Sequence, residues 1–166
     1  MPEPDRLPVE RRAELVSAGA YGTVLVLAAL SVISQSDVAL GHGSELVAGV
    51  GAATWVAHLF AELLGDHVRR DEPLSGGEVR RAMVDGSPIL VATVLPALAL
   101  MLGRLDLVSA TSARVLSMLV AIGQLVVIGA YVGRVAPGRP VTGWAFAAVT
   151  ALAGLLVVVL SLALGH

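Results

Sequence analysis

Five long stretches of this chain carry no formal charge: residues 15–36, 46–61, 86–103, 115–133 and 140–165. Crossing a bilayer takes roughly 20 apolar residues. A segment in hydrocarbon must also satisfy its own backbone hydrogen bonds, which favours helix. Four of the stretches reach or approach that length alone, and the second reaches it by taking in Glu62. The expected fold class is therefore all-α, a polytopic membrane protein of five transmembrane helices at about 14–34, 44–68, 87–102, 112–135 and 141–164. A polar tail over 1–13 precedes them, and an amphipathic segment over 78–84 suits an interfacial helix. Composition agrees. The 166 residues are 56% hydrophobic and 14% charged, with mean hydropathy +0.83, against about 25% charge in a soluble domain.

Within this frame the connectors have readable chemistry. Pro2, Pro4 and Pro8 with mixed charge make the first residues a poor signal sequence, so the first apolar run is expected to be a retained anchor. The polar loop 35–44 precedes the second span, with Ser44 as its expected N-cap. Asp85 or Ser87 is expected to cap the third span, with Pro88 in its first turn. Pro96 inside that span is expected to kink it or free a carbonyl. Small residues at Ala18, Gly19, Ala20 and Gly22, and the Gly129–Gly133 spacing, suit close helix packing.

Arginine placement sets the expected orientation. All 11 cationic residues are Arg. With five spans, Arg6, Arg11, Arg12, Arg69, Arg70, Arg80, Arg81, Arg134 and Arg139 share one side, and only Arg104 and Arg114 lie on the other. The rule that cytoplasmic loops are positive puts the N-terminus in the cytoplasm and the C-terminus outside. An Arg-only cation set with heavy Ala, Val, Gly and Leu usage suits a GC-rich bacterial genome, hence the expected location in the bacterial plasma (inner) membrane. A net charge of −2 gives no sign of nucleic-acid binding, and the absence of cysteine excludes a thiolate metal site.

The second apolar run ends in an unusual series, His58, Glu62 and Asp66, spaced i, i+4, i+8. On a helix these form one stripe, each residue about 6 Å along the axis from the last. Ionisable groups at membrane depth are costly and mark functional positions. Imidazole with carboxylates suits Fe²⁺, Mn²⁺, Zn²⁺ or protons. Asp85 enters the next span from the same side and joins the candidate metal set Glu62, Asp66, His58 and Asp85. The plainer reading, a His58–Glu62 pair used for packing with Asp85 as a cap, stays open beside it. Met83, Met101 and Met118 are read as soft donors or packing residues, Gln124 as an interhelical hydrogen-bonding group, and Tyr21 and Trp55 as packing or interface residues.

The layout resembles the VIT/CCC1 (vacuolar iron transporter-like) family. Glu62-Leu63-Leu64-Gly65-Asp66 resembles its second-helix motif, Val94-Leu95-Pro96 its third-helix motif, and Gly133-Arg134 its fourth-helix end. Two features depart from it. Ser17 to Gly22 lacks the first-helix acid, and about 18 residues stand where full-length members insert a metal-binding module. The resemblance implies a homodimer with a central pathway that exchanges divalent metal for protons. The expected function is transport of a divalent transition metal (Fe/Mn-like), proton-coupled, with no tightly bound cofactor and no enzymatic activity. The alternatives are a proton or small-ion pathway, or a non-transporting structural or interaction protein of the membrane.

Overall fold

The computed structural model describes residues 9–70 and 75–135, and seven helical positions between Ala145 and Val159. Most of the expected fifth span, 141–164, lies outside the described residues, and the seven described positions within it are helical. The described elements are all helices: α1 (Val9–Val32), α2 (Gln35–Leu40), α3 (His42–Arg70), α4 (Gly76–Asp85), α5 (Ser87–Arg104) and α6 (Ala110–Val135). Among the described residues, four helical stretches are long and apolar enough to cross a membrane: Arg11–Val32, His42–Val68, Gly76–Arg104 and Ala110–Arg134.

Helix α5 sits at the centre. It packs against α1, α3 and α6, and α1 also touches both α3 and α6. The pair α1/α5 thus separates α3 from α6. The core follows from this: Val26, Leu27 and Leu30 of α1 and Ile33 just beyond it meet Val38, Val47, Leu100, Ala113, Ala121 and Leu125. Close approach depends on missing side chains. A Cβ on Gly22 would lie 3.0 Å from the Ile89 backbone. Pro96 does not break α5, and its carbonyl accepts a hydrogen bond of 2.9 Å from Ser117 of α6. Helix α3 is the most exposed of the four, with Val56, Phe60 and Leu64 uncovered.

Several local expectations are corrected. Helix α1 begins by Val9, so residues 9–13 of the expected tail are helical. The loop 35–44 contains α2, capped by Ser34 in a reciprocal box with Asp37. The Ser34 hydroxyl and backbone hold the Asp37 carboxyl below its usual range. Helix α3 starts at His42, and Ser44 lies inside it, its hydroxyl donating to the Gly41 carbonyl at 2.8 Å. Gly41, at φ 87°, supplies the left-handed residue that turns α2 into α3, which removes the need for a serine cap. Neither Asp85 nor Ser87 caps α5. Gly86 stands at that position without a side-chain bond, the Ser87 hydroxyl donates to the Val84 carbonyl, and Asp85 ends α4.

Helix α4 has its own start signal. The Ser75 hydroxyl accepts from the Glu78 backbone N–H, and the Glu78 carboxylate accepts from the Ser75 backbone at 2.8 Å. Ser75→Ala is expected to cost about 1 kcal/mol of local helix stability. The expected readout is faster amide exchange across 76–80, with α1 and α6 unchanged.

Candidate functional site

One end of the bundle gathers most of the ionisable side chains singled out above. Helix α3 carries His58, Glu62 and Asp66 on one half-buried stripe, while Val56, Phe60 and Leu64 occupy its exposed face. The stripe faces the start of α1 and the end of α4. Between them lies a cavity of about 620 Å³ lined by Ala13, Glu14, Ser17, His58, Ala61, Glu62, Asp66, Glu78, Arg81 and Asp85. All four expected site residues, His58, Glu62, Asp66 and Asp85, therefore line the same space.

Glycine and tryptophan fix the stripe against α4 and α5. The Trp55 indole N–H donates to the Met83 carbonyl at 3.3 Å. A Cβ on Gly86 would lie 3.2 Å from both the His58 and Trp55 rings. The absence of a side chain at residue 86 thus lets both rings pack closely against the bend between α4 and α5. Trp55 is a packing residue with a specific partner, consistent with the need of a covered indole for an acceptor.

Asp85 is the deeply buried carboxylate of the cavity, with 4% of its side chain exposed. Its Oδ1 accepts a hydrogen bond from Arg11 Nε at 2.9 Å. Arg81 Nε, one turn back on α4, lies 3.6 Å from Oδ2. That oxygen has no hydrogen-bond partner in the described protein. Burying a carboxylate is costly unless it is paired, and Arg11 supplies the pairing from 74 residues away in sequence. Asp85 is thus a buried counter-ion to two arginines, hydrogen-bonded through Oδ1 and ion-paired through Oδ2.

Four participants were not expected from sequence. Glu14 brings a carboxylate from α1, three residues before the acid-free stretch Ser17–Gly22. It lies just before the first uncharged run, where it reads as an ordinary flanking charge. Arg11 and Arg81 read as topology markers for the same reason. Their signal was helical phase: Arg11 and Glu14 are i, i+3, and Arg81 and Asp85 are i, i+4. Glu78 also lines the cavity, though its carboxylate is engaged by the Ser75 cap.

The electrostatic balance is acidic. Five carboxylates line the cavity, opposed by Arg81 and the neighbouring Arg11. Glu62 lies within electrostatic range of His58, Asp85, Glu14 and Asp66. Among the described residues, no three His, Asp or Glu side chains converge closely enough to hold a bare metal ion. Gln124, on α6, is remote from this site. It lines an apolar groove of about 1160 Å³ between α1, α5 and α6, and its Oε1 is buried there with no hydrogen-bond partner in the described protein.

No protein-family model, curated protein or solved structure matches the chain.

Proposed function

We propose that this chain transports a divalent transition metal cation, with protons moving in exchange, and that it is a divergent relative of the VIT/CCC1 family in a bacterial inner membrane. One observation carries the reading. His58, Glu62 and Asp66 of α3 share an acidic cavity with Glu14 of α1 and Asp85 of α4, at one end of a bundle of membrane-length apolar helices. A stack of carboxylates inside such helices is costly unless a cation or proton uses it. The arginine asymmetry supports a five-span topology with this end on the cytoplasmic side. Asp66 then stands at the interface, Glu62 about 6 Å deeper and His58 about 12 Å deeper. This ladder of decreasing hydration suits a cation entering from the cytoplasm. A homodimer with its pathway along α1 and α3 fits the resemblance, and α3 keeps an apolar face uncovered.

The test is Mn²⁺ or Fe²⁺ flux in proteoliposomes under a proton gradient. Glu62→Gln and Asp66→Asn are each expected to cut flux by about tenfold or more, since each removes a charge that stabilises the cation at depth. Wild-type flux in both variants overturns the assignment. Proton flux indifferent to transition metals would transfer the same residues to the proton-pathway reading.

A further inference from the structure

The apolar groove between α1, α5 and α6 lies apart from the acidic cavity and has an identifiable occupant. Its walls include Leu15 and Gly19 of α1, Val91 and Leu95 of α5, and Val127 and Tyr131 of α6. It follows the C-terminal half of α6, the half from which the chain continues toward residue 141. Gln124 Oε1 is buried in this wall without a hydrogen-bond partner in the described protein. In hydrocarbon an unsatisfied amide is costly, and lipid tails offer it no donor. The residues after α6 fit the need. The connector 136–140 has five residues, with prolines at 137 and 140, so it reaches about 20 Å at most. A connector that short joins antiparallel neighbours, and the uncharged run 140–165 that follows is long enough to return across a bilayer. Gln124 stands about 16 Å along α6 from Val135, and Thr150 stands about 14 Å from residue 141 at the helical rise. The two therefore share a depth. Thr150 is also the one hydrogen-bonding side chain between residues 145 and 160. The seven described positions of this run, Ala145, Ala148, Val149, Leu152, Leu155, Leu156 and Val159, are all exposed. Their spacing of three and four marks one helix face. Continuing that periodicity puts Gly143, Ala147, Thr150, Gly154 and Ser161 on the opposite face, where small residues permit close helix approach.

We propose that the segment 141–164 runs back antiparallel along α6 and fills the groove between α1, α5 and α6, with the Thr150 hydroxyl bonded to the Gln124 side chain. A threonine hydroxyl both donates and accepts, so it serves Gln124 Oε1 directly. The small face of the segment meets the groove, and the stripe from Ala145 to Val159 faces lipid. The inference is independent of the cargo. It assigns a partner to Gln124 and makes the groove an internal packing surface of the fold.

The full chain in liposomes provides the test. It contains no cysteine, so introduced pairs report without background. Gly123 lines the groove, and a Cβ there meets nothing within 4 Å. Gly123→Cys with Gly154→Cys is expected to form a disulfide within one chain under mild oxidation, which requires Cα atoms within about 7 Å. Both thiols are then protected from maleimide-PEG after denaturation, and reduction restores labelling. Gly123→Cys with Leu152→Cys, at the same depth on the exposed stripe, is expected to stay free. Disulfide-linked dimers from the 123/154 pair would give the groove to a second copy, and thiols that stay free would give it to lipid. Either result overturns the proposal, as does equal crosslinking of both pairs. Unfolding titrations in SDS supply a readout that does not depend on cysteines. Thr150→Val is expected to shift the unfolding equilibrium by about threefold, the scale of one interhelical hydrogen bond in a membrane, and Thr150→Ser to restore it. In the Gln124→Leu background Thr150→Val is expected to change nothing. An equal loss in both backgrounds overturns the Gln124–Thr150 contact.

Discussion

Arg11→Ala is expected to destabilise the bundle by about 3 kcal/mol, and Arg11→Ala with Asp85→Ala by far less. The asymmetry comes from burial. Asp85 keeps 4% of its side chain exposed, and Arg11 keeps 30%. Removing the guanidinium strands a carboxylate that water cannot reach, and breaking such a pair from one side costs about 3–5 kcal/mol. The lower end applies here because Arg81 remains 3.6 Å from the other oxygen. Removing both partners leaves a small apolar gap and no stranded charge. Unfolding titrations with SDS in mixed micelles measure Arg11→Ala, Asp85→Ala and the double variant. A coupling energy near zero in that double-mutant cycle would show that the pair contributes nothing. The pair also ties the start of α1 to the α4–α5 junction, so the single variant is expected to loosen the cavity wall formed by Glu14.

The second large effect belongs to Gly51. In a helix interior Gly→Ala ordinarily stabilises by up to about 1 kcal/mol. At Gly51 the sign is expected to reverse. A Cβ there would overlap the Thr93 hydroxyl and lie 2.6 Å from Thr93 Cγ2 and 2.8 Å from its Cβ. Thr93 cannot move away easily. It is buried, and its hydroxyl donates to the Ile89 carbonyl at 2.8 Å. Gly51→Ala must therefore push α3 off α5, with an overpacking cost of about 1–3 kcal/mol. Gly49→Ala is the internal control, since a Cβ there meets nothing within 4 Å. The expected result is opposite signs for two Gly→Ala changes two residues apart. Two stabilising changes would mean that α3 and α5 do not approach at Gly51. Displacing α3 also moves His58, Glu62 and Asp66 away from Asp85, so weaker Mn²⁺ binding should accompany the lost stability in Gly51→Ala alone.

Some of this was legible in the chain before any fold was seen. Hydrophobic runs of bilayer length are a local property, and so is the i, i+4, i+8 spacing that puts His58, Glu62 and Asp66 on one face of α3. The bounds of α3, α5 and α6 differ from the expected spans by two residues at most, the normal uncertainty at helix ends, while α1 is helical at least five residues earlier than expected. The start of α3 was misplaced for a specific reason. Ser44 has the chemistry of a cap, but Gly41 takes up the left-handed turn that joins α2 to α3 and makes a cap at Ser44 unnecessary.

What the residues determined by themselves is what depends on neighbours along the helix: the apolar spans, the acidic stripe and the asymmetry of arginines. The tertiary structure decided what depends on partners far along the chain. It set α5 between α3 and α6, brought Glu14 to the stripe, and turned Asp85 from an expected helix cap into a buried counter-ion of Arg11. The physical reason is the same in each case. Periodicity says which face of a helix a side chain occupies, but its charge state and partners are set by which other helix covers that face.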